Sequence, residues 1–113
     1  MLIAYTGRRT GKGRTIPVMY ARADGTLLVN VSMAERKCWW RNLQGGAPVE
    51  VLVQRRSSRG LAESITGDQA RAALDRYVAR FPRAARSGQD LRRLVMVRIR
   101  LDTGTIRAAD QQR

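Results

Sequence analysis

The stretch from Gly7 to Tyr20, GRRTGKGRTIPVMY, constrains this chain more than any other. Arg8, Arg9, Lys12 and Arg14 fall within seven residues, interleaved with Gly7, Gly11 and Gly13. Glycine permits the positive φ that a tight loop needs and leaves backbone amides open to a ligand. Ile16, Val18 and Tyr20 then share one parity, the pattern of a strand with one buried face. A basic loop fixed to a strand is a sensible receptor for phosphate or carboxylate oxygens, because guanidinium forks and free amides both suit them. An ordinary hairpin turn in an arginine-rich chain would read the same way. The loop has neither the Walker A spacing nor the dinucleotide-binding glycine pattern.

Charge narrows the partner. The chain has 113 residues and a net charge of +13, from 22 basic residues against 9 acidic ones. Such a balance points to an anionic partner: a phosphorylated cofactor, a nucleic acid or an acidic membrane surface. Lys12 and Lys37 are the only lysines. Arginine is the better residue for bidentate contacts to phosphate. The chain has no histidine, which removes the commonest general base and metal ligand. Cys38 is the only cysteine, so no internal disulfide and no cysteine-based zinc site can form. Beside two tryptophans, it is expected to be buried. No apolar run approaches a membrane span and no signal-peptide core opens the chain, so the expected location is cytoplasmic.

Taken in order, Leu2 to Tyr5 reads as a first strand and Thr6 to Lys12 as a turn. Arg14 to Ala21 is a second strand, with Pro17 marking an edge or a bulge. The Asp24-Gly25 pair predicts a hairpin that pairs this strand with a third, Leu27 to Val31. Ser32 to Lys37 is a polar loop, and Cys38 to Gln44 a short helix ended by Gly45-Gly46. Pro48 to Gln54 alternates as a half-buried strand, Arg55 to Ser58 turns, and Arg59 to Ile65 is a weaker fifth strand.

Thr66 and Gln69 have capping-box spacing ahead of an amphipathic helix, whose stripe is Ala70, Ala73, Leu74, Tyr77, Val78 and Phe81. Pro82 stops it, and residues 84–90 form an irregular turn or helical fragment. Leu94 to Leu101 is the last strand, with Arg98 and Arg100 on its outer face. The expected fold is α+β and mainly β: a six-stranded barrel with one amphipathic and one short helix. Residues 1–102 form the domain, and 103–113 a polar tail.

Two runs in this order, TGRRTGKGRTIP and WWRNL, resemble the deazaflavin-dependent nitroreductase and quinone reductase family. The resemblance spans about Leu2 to Leu101. It implies a split β-barrel like those that bind flavin mononucleotide (FMN), and an oxidoreductase that uses coenzyme F420. Hydride would pass from the reduced cofactor to a small-molecule acceptor, an enone, quinone or nitro compound. Carried over by position, Arg8, Arg9 and Arg14, with Lys12 as a further basic residue, hold the phosphate and acidic tail of the cofactor. Ser32 lies beside the deazaflavin ring, and Trp39 forms a wall on the cofactor side, with Trp40 as the alternative. No catalytic residue is assigned, since the cofactor brings the hydride chemistry.

The chain departs from the family pattern in three places. It begins almost at the first strand, where members carry an amphipathic helix. The Ser32–Trp39 loop is shorter, without glycine or proline. The run FPRAARSG lacks tyrosines common in nitro-reducing members. Two other readings stay open: a split barrel for FMN or another anionic cofactor, and a nucleic-acid-binding module. Few aromatics, 5%, and none within the basic loop, count against the last. A homodimer is compatible with each.

Overall fold

In the computed structural model, strands with alternating apolar residues form one antiparallel sheet. Residues 1–23, 25–31, 37–82 and 91–102 are described. The strands are β1 (Leu2–Thr6), β2 (Gly13–Pro17), β3 (Ala21–Ala23), β4 (Thr26–Asn30), β5 (Ala47–Val53), β6 (Arg56–Ile65) and β7 (Met96–Leu101). A 3-10 turn spans Trp39–Leu43, and the helix α1 spans Gly67–Arg80. The sheet order is β2-β1-β5-β6-β7-β4-β3. It has seven strands and two open ends, and so is not the closed six-stranded barrel expected.

The difference arises in one segment. The run expected as a single strand from Arg14 to Ala21 divides at residues 18–20. Its first part pairs with β1, from Thr6↔Gly13 to Leu2↔Pro17. Its second part pairs with β4, from Ala23↔Thr26 to Ala21↔Leu28. The third expected strand therefore pairs with β3, not with the stretch after Arg14. Contact with the β1 side ends at Val18, whose amide donates to the Met1 carbonyl at 2.9 Å, and the chain takes up the ladder with β4 at Ala21.

The divided segment also shapes the sheet. A flat seven-stranded sheet would hold its edge strands about 29 Å apart, six spacings of about 4.8 Å. Three linking residues can span only about 14 Å. The sheet is therefore curled until its two unpaired edges face each other across a short connection.

Parity places the core on both faces of the sheet. Ile3, Leu27, Val29, Val49, Val51, Val97 and Ile99 fill the inside of the curl, with Trp40 and Leu43 from the 3-10 turn. Ile16, Val18 and Tyr20 pack against the same cluster. The intervening residues Leu28 and Met96 face outward and meet Ala70, Ala73 and Tyr77 of α1. One helix thus covers the β3–β4–β7 end. Val95 belongs to the inner core, although the last strand begins one residue later. Arg98 sits on the α1 face and is only partly exposed, because it pairs with Glu63, its register neighbour on β6.

Three local expectations change. Thr66 precedes α1 in extended conformation but makes no side-chain capping bond, so the capping box does not form; Gly67 enters the helix at φ 64°. The turn expected at Arg55–Ser58 is a tighter one at Gln54–Arg55, both at positive φ, with Val53 opposite Arg56. This lengthens the weak fifth strand to ten residues. The expected short helix is a 3-10 turn, followed by Gly45 and Gly46 at φ 80° and 92°. Asp24, Ser32, residues 84–90 and the tail 103–113 lie outside the described residues.

Candidate cofactor cleft

β1 runs into the basic loop and β2 leaves it, so the two strands set where the loop stands. The Gly7 amide donates to the Lys12 carbonyl at 2.8 Å and the Gly11 amide to the Gly7 carbonyl at 2.8 Å. Gly11 takes φ 69°, a conformation that favours glycine. The Lys12 amide donates to Thr10 Oγ1 at 3.3 Å. The loop is thereby a small closed unit with its arginines directed outward.

Against it stands the 3-10 turn. Leu43 is fully buried and Trp40 is 9% exposed, and together they anchor the turn in the inner core. This leaves Trp39 half-buried at the surface, its ring centroid 6.2 Å from that of Tyr5 and tilted by 41°. Such offset, tilted pairs are favourable aromatic contacts. Arg41 holds its guanidinium over the Trp40 ring, 5.3 Å from the centroid.

Loop and turn enclose a cleft of about 420 Å³, lined by Arg8, Arg9, Arg14 and Arg41 and by Tyr5, Trp39, Thr10, Cys38 and Asn42. No carboxylate is among the described lining residues. Tyr5 and Arg14 are opposite each other in the β1–β2 register, which puts the Arg14 side chain on the Tyr5 face. Four guanidiniums focus a positive potential on the cleft and favour an anion there. Its far wall, formed by the Tyr5–Trp39 pair, is suited to a flat ring. Among the described residues no cluster of His, Cys, Asp and Glu is placed to hold a metal.

Of the residues expected from sequence, Arg8, Arg9, Arg14 and Trp39 meet in this one cleft. Lys12 does not line it, but closes the loop through its backbone while its side chain stays exposed. Ser32 lies outside the described residues. Tyr5, Arg41 and Asn42 were not legible as lining residues. Cys38 is exposed on the cleft rim rather than buried, because the inward position of the turn is taken by Trp40.

The sequence profile of the F420H(2)-dependent quinone reductases matches residues 1–102. The chain belongs to that family. As an F420H(2)-dependent quinone reductase family member it is an oxidoreductase, with F420 as its cofactor. No curated protein matches the chain. A solved structure described as a domain-swapped dimer superposes with TM-score 0.67 at 19% identity, covering 87% of this chain and 77% of that one. At that identity the likeness is one of fold. The described residues fit the family's cofactor: the arginines of the cleft suit an anionic tail, and the aromatic wall suits a ring. No helix among the described residues is long and apolar enough to cross a membrane.

Proposed function

We propose that this chain reduces a quinone or a related enone or nitro acceptor, with the cofactor held in the cleft between the basic loop and the Trp39–Leu43 turn. Arg8, Arg9 and Arg14 receive the phosphate and acidic tail, and Lys12 adds charge at the loop's outer side. Tyr5 and Trp39 wall the ring, and Ser32 stands next to it by resemblance. When bound, the reduced deazaflavin supplies the hydride. Reducing a quinone to a hydroquinone also takes one proton. The open cleft gives solvent access to supply that proton. The protein's own task is binding, orientation and a fixed approach for the acceptor.

The observation that carries this reading is the meeting, in one cleft, of four arginines and a tilted aromatic pair. The test is a fluorescence titration of the purified protein with F420 and, separately, with FMN. Selective binding of F420, lost in the double variant Arg9→Glu with Arg14→Glu, supports the assignment. Unchanged binding in that variant removes the basic loop from the site. Turnover of reduced F420 with a quinone, an enone and a nitroarene then ranks the acceptors. A homodimer is in keeping with the solved neighbour's description as a dimer, and light scattering decides it.

A further inference from the structure

We propose that Asn42 is a positioning residue for the cofactor, one carboxamide that ties the basic loop to the aromatic wall. The proposal rests on the reading of the cleft given above. The loop's own hydrogen bonds, Gly7 to Lys12 and Gly11 to Gly7, fix its shape but not its place. Its place is set from outside. Asn42 Oδ1 accepts the Arg8 backbone amide at 2.9 Å, across 34 residues of sequence. The same side chain donates from Nδ2 to the Trp39 carbonyl at 2.9 Å. A second tie, Arg8 Nη1 to Gln44 Oε1 at 3.3 Å, joins two long exposed side chains and is the looser of the two.

The chemistry required of position 42 is narrow. It needs an acceptor for the loop and a donor for the turn on one short, planar group, and a primary amide provides both. Leu43, fully buried beside it, keeps the Asn42 backbone from moving. Arg8 and Arg9 on one side and Trp39 on the other are thus presented as a single preorganised unit. Without the tie, the loop must be ordered each time the anionic tail binds, and that cost is taken from affinity.

Two readouts test this. Amide hydrogen exchange at Arg8 reports the tie without any ligand, and F420 titration reports its consequence. In Asn42→Ala, exchange at Arg8 is expected to rise about tenfold, and F420 affinity to fall about tenfold, as the loss of one such bond implies. Because Asn42 acts through the loop, losses in Asn42→Ala and Arg9→Ala combine to less than their product. Asn42→Asp keeps the acceptor but loses the donor to the Trp39 carbonyl, so protection at Arg8 is expected to fall between wild type and Asn42→Ala. Unchanged exchange at Arg8 in Asn42→Ala, or multiplicative losses of affinity, overturns the proposal. If Asn42→Ala does not fold, Asn42→Asp decides alone, and full wild-type protection at Arg8 with unchanged F420 affinity there overturns it. A wild-type protein with Arg8 protected that binds no F420 refutes the cofactor assignment, a different result from an unprotected Arg8.

Discussion

Gly60 sits in the middle of β6, with Val49 on one side and Leu101 on the other. A Cβ there would lie 2.7 Å from the Arg100 carbonyl oxygen and 3.2 Å from Leu101 Cα. Ordinary contact begins at 3.4 Å, so β6 and β7 would have to part by about 0.7 Å, the difference between 3.4 and 2.7. Both obstacles are backbone, so no side chain can swing aside. Overpacking of this kind costs about 1–3 kcal/mol. Reduced freedom of the unfolded chain returns about 0.4–1 kcal/mol of that. Gly60→Ala is therefore expected to destabilise by about 1–2 kcal/mol, a fall in Tm of roughly 4–8 °C. Gly13→Ala is the control, because nothing lies within 4 Å of the Cβ it would add. That variant should equal or slightly exceed wild type. Urea unfolding followed by tryptophan fluorescence gives both midpoints. A Gly60→Ala midpoint indistinguishable from that of Gly13→Ala would refute the argument.

Three further outcomes are expected. Gln54→Asn with Arg55→Gly should stabilise by about 1–2 kcal/mol in chemical denaturation, since both positions sit at positive φ in a two-residue hairpin. Trp40→Ala should cost about 3–5 kcal/mol of stability, whereas Trp39→Ala should leave unfolding closer to wild type and weaken F420 about tenfold by titration. Burial raises the Tyr77 phenol above its ordinary value of 10.0. A raised folded value means that stability is intact below pH about 10 and declines as pH climbs toward the folded value. Melts from pH 8 to 11 should show that decline, and Tyr77→Phe should flatten it.

Faces were legible in the sequence where neighbours were not. Val49, Val51 and Val97, Ile99 declare their inward side by a period of two, and Ala70, Ala73 and Tyr77 theirs by a period near 3.6. Ile16, Val18 and Tyr20 keep one parity while the chain changes partner from β1 to β4, so alternation gives no sign of the transfer. Gln54 and Arg55 hide their turn because neither is a residue chosen for positive φ. In the site, Arg8, Arg9, Arg14 and Trp39 stood out because two dense motifs carry them. Tyr5 looked like one more apolar strand residue. Asn42 gains its meaning only from a contact made across 34 residues, and Cys38 was misplaced because local composition does not say which side of a short turn faces the core.

Every described residue lining the cleft lies between Tyr5 and Asn42. The strands that hold them in place come later: β1 needs β5 as its second neighbour, and β4 needs β7. A lone hairpin is marginal in water. As the chain leaves the ribosome, these lining residues are present before any surface exists to arrange them. The cleft becomes whole only when the final strand, ending at Leu101, closes over β6 and β4.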